Sequence, residues 1–170
     1  MRLRNLLAQK KPLLLERWLD LIFSTYPPET AGFLRKEKDR FNNPVAFRIA
    51  EGAKGLVQAI IFGATTEELY RYLDEIIRIK ALQDFTPSQA LAFVFFLKKV
   101  VREELAKELA ADAALAGEVL ELESEIDGLA LLGFDVYLKR REKLYEIRVD
   151  EVKRSVSGLL RKAGVNLNNL

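Results

Sequence analysis

The 170-residue chain contains no cysteine and no histidine. Without cysteine there can be no disulfide bond, thiolate metal site, iron–sulfur cluster or cysteine nucleophile. Without histidine the chain lacks the usual haem and zinc ligand and the commonest general base. Catalysis would have to use carboxylate, lysine, tyrosine or serine groups, and no motif brings these together. We therefore expect a protein that is not an enzyme and binds no cofactor.

Long apolar runs are also missing. The longest one, residues 90–97, is far shorter than the roughly 18 residues that a membrane-spanning helix requires. The leucine-containing N-terminal segment is interrupted by Glu16, Arg17 and Asp20 and has no small-residue cleavage site, which argues against a signal peptide. We expect no membrane span and a cytoplasmic location.

A large excess of one charge is missing as well. Lysine and arginine number 27 against 25 acidic residues, a formal net charge of +2, which creates no strong field for nucleic acid. The basic cluster at residues 139–143 includes Glu142, as is typical of a solvent-exposed helix face. We expect no nucleic-acid partner.

The residues that are present predict an all-α protein. A content of 49% hydrophobic and 31% charged residues is that of a globular chain, and the length suits one domain. Apolar residues recur with a helical period throughout, and no segment alternates with the period of a strand. The predicted fold class is a helical bundle.

Capping signals locate several helices. They are Asn43 before Pro44 with Gly63 as the stop, Thr65 with Glu68 at capping-box spacing, and Thr86 before Pro87 with Gln89. Gly52 and Gly55 lie inside the first of these helices, although each costs about 1 kcal/mol relative to alanine. Close approach of a neighbouring helix explains them most simply, and a ligand-binding backbone is the alternative.

The segment QDFTPSQALAFVFFLKKVVREEL, residues 83–105, joins a polar turn to an aromatic run. Because residues 90–97 are apolar all round the helix, we expect other helices to enclose Phe93, Phe95 and Phe96 as core residues. The alternative is a small-molecule site, a cavity beside Trp18, Phe93 and Phe96. In that case Gln83 or Asp84 would orient the ligand.

The last third of the chain predicts one long helix. No proline occurs from Asp112, a possible N-cap, to about Ala163, which gives roughly 75–80 Å at the standard rise. Its second half carries a heptad seam of apolar residues, which predicts a homodimer; an amphipathic helix packed on its own domain is the alternative. The seam consists of Leu138, Tyr145, Val149, Val152, Val156 and Leu159.

The segments IIRIKALQDFTPSQALAFVFFLKKVVREEL and EIDGLALLGFDVYLKRREKLYEIRVDEVKR, with FNNPVAF and ERWLDLIFSTYP, resemble the N-terminal domain of RsbRD-type proteins. These are co-antagonists of the RsbT kinase in bacterial stressosome signalling. The resemblance spans about residues 5–163. It implies an all-helical sensory input domain, and the better-known stressosome relatives have globin-like folds that lack haem. In longer members the terminal helix leads into a STAS domain, and we expect this chain, which stops at Leu170, to be a stand-alone member without one.

The leading prediction is a non-enzymatic regulatory or sensory module that signals through a partner and its last helix. Its domains would be a helical sensor, residues 1–140, and a dimerisation helix with tail, residues 141–170. One alternative is a protein that binds a small apolar ligand. The other is an enzyme that uses the carboxylates of Asp127 and Asp135. An ordinary ion pair with Arg78, Lys98 or Arg102 explains either carboxylate more simply. Candidate ligand or signalling residues are Gln83, Asp84, Thr86, Ser88, Gln89, Phe93, Phe96, Asp127, Tyr137 and Arg141.

Overall fold

Residues 2–164, which the computed structural model describes, form eight α-helices and no strand. This confirms the predicted all-α helical bundle with a long final helix. The helices are α1 (Arg2–Gln9), α2 (Lys11–Phe23), α3 (Pro28–Lys36), α4 (Pro44–Phe62), α5 (Thr66–Leu82), α6 (Pro87–Glu104), α7 (Ala106–Ala111) and α8 (Ala114–Lys162). Within these residues, every helix is too short or too polar to traverse a lipid bilayer.

The predicted caps start the helices that position the site. The Asn43 side chain accepts a hydrogen bond from the Ala46 amide at 3.1 Å. Thr65 with Glu68, and Thr86 with Gln89, form reciprocal capping boxes at the starts of α5 and α6, so amide donors that the helix leaves free are satisfied. Gly63 ends α4 with a φ of +86°, a backbone conformation that glycine adopts without steric cost.

The glycines inside α4 allow α5 to approach closely. A Cβ on Gly52 would lie 2.8 Å from both the Tyr72 carbonyl oxygen and Ile76 Cγ1, and one on Gly55 would collide with the Tyr72 ring. Real Cβ atoms essentially never come so near to other heavy atoms. The helix-packing explanation of these glycines is confirmed.

The core lies where α8 packs against α5 and α6, with α4 on α5 and α2 on α6. Phe93 is fully buried there, but Phe95 is 49% exposed, so the prediction that other helices enclose the whole apolar run is wrong. The reason is that α6 has an outward stripe, and Phe95 lies on it at helical spacing from the exposed Ser88, Lys99 and Arg102. Phe96 is half-buried against the core.

The long helix α8 begins at Ala114 rather than at the predicted cap, because the short helix α7 precedes it. Asp112 is therefore not the N-cap, although its Oδ1 accepts a hydrogen bond from the Ala114 amide at 3.0 Å. The 49 residues of α8 extend roughly 74 Å, slightly less than predicted. Gly117, Gly128 and Gly133 do not interrupt it.

The two halves of α8 have different surroundings. Ten residues between Leu115 and Tyr137 are buried, and we call residues 114–137 the docked half. From residue 138 to 164 none is buried, and we call residues 138–162 the stem. The helix passes without a break through the predicted domain boundary at residues 140 and 141. Residues 165–170 of the predicted tail lie outside the described part of the chain.

Candidate functional site

The connection between α5 and α6 turns sharply at Gln83–Phe85, which we call the 83–85 turn. Asp84 has a φ of +58° and is the single non-glycine residue with positive φ among residues 2–164. Aspartate tolerates this left-handed conformation better than most residues. It lets the Phe85 amide donate a hydrogen bond back to the Lys80 carbonyl at 3.2 Å. The turn is thus a fixed structure rather than a loose connection.

Two side chains of α8 hold this turn. The Tyr137 hydroxyl donates to the Phe85 carbonyl oxygen at 2.6 Å. Arg141 Nη1 donates to the Ala81 carbonyl at 3.1 Å and to Asp84 Oδ1 at 3.0 Å. Because Tyr137 and Arg141 are four residues apart, they lie on one face of α8. They sit where the docked half ends and the stem begins, so the turn is joined to α8 at its exit from the bundle.

A buried lysine lies beneath the turn. Lys80 is 0% exposed, and its Nζ donates a hydrogen bond to Thr25 Oγ1 at 3.1 Å. The ammonium group lies 4.5 Å from the centre of the Phe85 ring and 4.8 Å from that of Tyr26, whose electron-rich faces attract a cation. No carboxylate within residues 2–164 forms an ion pair with it. Burial therefore lowers the pKa of Lys80 from 10.5 to about 8.

The segment that follows α2 completes the cluster. The Tyr26 hydroxyl donates to Gln83 Oε1 at 2.9 Å, and the Tyr26 ring packs edge-on against Phe85 with 5.4 Å between centroids. Burial raises the pKa of Tyr26 to about 12, so the phenol stays neutral and remains a donor. The 83–85 turn thus connects the ends of α2 and α5 to α8.

Sequence reasoning selected Gln83, Asp84, Tyr137 and Arg141, and the structure brings these four side chains to one turn. It did not select Lys80, Thr25, Tyr26 or Phe85. A signal for Lys80 was available, because the position continues the buried spacing of Leu73, Ile76 and Ile77 on α5. A lone lysine on the apolar face of a helix indicates a buried amine.

The remaining candidates lie elsewhere or have capping roles. Thr86 and Gln89 cap α6, with Ser88 Oγ 3.2 Å from Thr86 Oγ1. Phe93 stacks on Trp18 at 6.0 Å, and the Trp18 indole donates to the Phe93 carbonyl at 2.7 Å. The Trp18 and Phe93 rings therefore pack on each other at the place where the alternative prediction expected a ligand cavity.

Asp127 pairs with Lys98 across α6 and α8. We predicted an ion pair rather than a catalytic role for Asp127, and its ion pair with Lys98 is present. Asp127 is also half-exposed, and no group of three acidic side chains in residues 2–164 is arranged to hold a metal ion.

The stem presents the predicted seam to solvent. Its six residues are between 45% and 67% exposed, which is unusual for so many large apolar side chains in one line. Tyr145, the first seam residue after Arg141, is linked to the turn through that arginine, since Arg141 Nη2 donates to the Tyr145 hydroxyl at 3.0 Å. A direct chain of contacts thus runs from Asp84 through Arg141 to Tyr145.

A family model described as "RsbT co-antagonist protein rsbRD N-terminal domain" matches residues 12–152. The matched region runs from α2 into the stem, and it contains the whole 83–85 turn together with the first four seam residues. Neither the curated proteins nor the solved structures include a match to this chain.

Proposed function

This chain belongs to the RsbRD N-terminal domain family, whose role is regulatory or sensory and related to the stressosome, and we propose that it acts as a non-enzymatic module signalling through a protein partner and α8. The family is not known as an enzyme family. Its description as RsbT co-antagonists supports a protein partner. Such a partner would be met in the cytoplasm, where we expect the chain to act.

The observation that carries the proposal is the contact chain Asp84–Arg141–Tyr145. A change in the bundle that moves the 83–85 turn must also move Arg141, because its guanidinium bonds the turn and the stem together. A helix is stiff, so a small displacement at the junction is carried along the stem. The turn would then be the point at which a change in the bundle alters the position of the stem.

We propose that the seam is the surface that binds a partner, and that this partner is a second copy of the chain. Val149 and Val156 occupy heptad positions a, while Tyr145, Val152 and Leu159 occupy positions d, and β-branched residues at a favour two-stranded coiled coils. No residue of the stem is buried by the chain's own bundle. A second stem would remove this apolar line from water.

Sedimentation equilibrium of the full-length chain tests this proposal. The unmodified chain should be a dimer, and Val149→Asp should be a monomer, because each dimer would bury two facing unpaired charges. We expect the dissociation constant to rise at least about a hundredfold, given several kcal/mol for each buried charge.

Ile147→Asp is the matched control. Ile147 is also a β-branched, half-exposed residue of the stem, 45% exposed against 49% for Val149, but it lies about 200° away around the helix. This variant should remain a dimer. Dimerisation that survives Val149→Asp, or that is lost equally in both variants, would contradict the seam.

A further inference from the structure

A second feature of the junction is a groove between the last turns of α5 and the start of the stem. Its volume is about 470 Å³, within the range of small-molecule sites. Nine residues line it: Arg48, Arg78, Ile79, Ala81, Leu82, Arg140, Lys143, Leu144 and Ile147. Five of them are apolar, four are cationic and none is acidic.

The apolar residues form the floor and two opposing walls. Ile79 and Ala81 are buried at the base. Leu82 on α5 is 62% exposed and Ile147 on α8 is 45% exposed, so large apolar surfaces meet water on both sides. Such a lining favours a ligand that brings apolar surface of its own.

The cations around this floor outnumber their carboxylate partners. Arg48 and Arg78 share the single carboxylate of Glu75, at 3.1 and 3.2 Å. Arg140 pairs with Asp74 and Lys143 with Glu146. Four cations against three carboxylates leave one positive charge. The pairs are partly exposed and screened by solvent, so an anion can be accommodated by rearranging them.

The length of the floor decides between a small ligand and a partner helix. Ile79 and Leu82 are three residues apart on α5, as are Leu144 and Ile147 on α8, so each helix contributes apolar surface over about one turn. A docked helix is recognised through anchors over about two turns, at i, i+3, i+4 and i+7. The groove is too short for such a partner, but it can hold an apolar chain.

We propose that this groove binds a small amphiphile with one apolar chain and one anionic headgroup, a fatty-acid carboxylate being the simplest example. The apolar chain would lie between Leu82 and Ile147, and the headgroup would reach the arginines at the rim. The bound molecule would join α5 to the stem just beyond the 83–85 turn. Its effect on signalling rests on the function proposed above, whereas the binding itself does not.

Isothermal titration of the full-length chain with decanoate tests this proposal. We expect one decanoate per chain, with 1-decanol and decyltrimethylammonium binding at least about tenfold more weakly, because they lack the charge-assisted contacts. Equal affinity for decanoate and decanol would overturn recognition of the headgroup. Failure of all three compounds to bind would overturn the site.

Substitutions that introduce a negative charge locate the site. Ile147→Glu and Leu82→Glu place a carboxylate on either wall, and each should weaken decanoate binding at least about tenfold. Leu131→Glu is the matched control, since Leu131 is a 73% exposed residue of α8 that does not line the groove, and it should leave affinity unchanged. An equal loss in all three variants would show non-specific partitioning and overturn the proposal.

Two further experiments distinguish a membrane lipid from a free ligand, and the groove from the dimer. Flotation of the chain with phosphatidylglycerol vesicles, if abolished by Ile147→Glu, would assign the groove to a membrane headgroup and overturn a free ligand. The Val149→Asp variant should bind decanoate as the unmodified chain does, because the groove lies within one chain. If the unmodified chain is monomeric and binds decanoate, only the dimer is contradicted. If the unmodified chain is dimeric and does not bind decanoate, only the groove is contradicted.

Discussion

The docked half and the stem of α8 are one continuous helix, yet they are stabilised in different ways. The docked half is buried against α5 and α6 and tied to them by ion pairs such as Arg102–Glu123 and Lys98–Asp127. The stem has a comparable line of apolar residues but no bundle to cover it. An apolar stripe therefore does not itself indicate a core. What matters is whether the chain supplies a surface opposite it.

The 83–85 turn marks the change from one half to the other. Tyr137, the last residue of the docked half, and Arg141, in the first turn of the stem, both bond to it. We expect perturbations at this junction and on its two sides to have unequal effects on stability, and three sets of variants test that expectation.

The largest effect on the free energy of unfolding is expected at Lys80, which lies beneath the junction. The difference between a pKa of 10.5 in the unfolded chain and about 8 in the folded one corresponds to about 3 kcal/mol. The unfolded chain binds the additional proton between these values, so the free energy of unfolding should rise with pH from about 8 towards 10.5. The raised pKa of Tyr26 opposes this only above pH 10, where the unfolded phenol ionises.

Lys80→Met removes the buried charge while keeping an unbranched side chain. We expect it to increase the free energy of unfolding by about 3 kcal/mol at pH 7 and to abolish the rise between pH 8 and 10. Urea unfolding in the Val149→Asp background measures this without a contribution from self-association. A variant less stable than its parent at pH 7, with the rise retained, would contradict the account of Lys80.

An intermediate effect on stability is expected when a glycine of the docked half or of the stem is replaced by valine. A Cβ at Gly133 would lie 2.9 Å from Leu91 Cδ2 and 3.2 Å from Ile77 Cδ1, whereas nothing lies within 4 Å of one at Gly158. Gly133→Val should therefore cost about 1–3 kcal/mol of stability through overpacking. Gly158→Val should be neutral or slightly stabilising, because valine is a better helix former than glycine. Equal melting temperatures for the two variants would mean that the halves are not packed differently.

The smallest effect compares two tyrosines. Tyr137→Phe leaves the Phe85 carbonyl without its donor, which should cost about 1 kcal/mol. Tyr145→Phe removes a hydroxyl that is half-exposed on the stem, and its cost should be below about 0.5 kcal/mol. Denaturant midpoints at constant slope measure both. A larger loss for the stem tyrosine would reverse the expected order.

The sequence predicted the features that depend on neighbours in the chain. Asn43, Thr65 and Thr86 cap helices because their partners lie three residues further on, a spacing that any reader of the sequence can see. The helical period and the absence of proline from α8 were equally local. These features position the 83–85 turn, and four residues that meet there were among the candidates: Gln83 and Asp84 of the turn, and Tyr137 and Arg141 of α8.

The sequence did not predict features that depend on which surfaces meet. Phe95 and Phe93 belong to one apolar run, and only the arrangement of α2, α5 and α8 decides that one is exposed and the other buried. Lys80 follows the buried spacing of α5, but the groups that receive its ammonium, on Thr25, Tyr26 and Phe85, lie outside that helix. The positive φ of Asp84 belongs to the turn that ends α5, where the Phe85 amide bonds back to the Lys80 carbonyl, and the sequence has no glycine there to indicate it.

The central claim is that two stems associate side by side along the seam, and a spin label tests it most directly. Because the chain has no cysteine, Arg154→Cys creates a single labelling site, at heptad position f, away from the seam. Double electron–electron resonance should show two coupled spins per particle in this variant and with Ile147→Asp added, but isolated spins with Val149→Asp added. Isolated spins in the otherwise unmodified chain, or coupling that survives Val149→Asp, would contradict the claim.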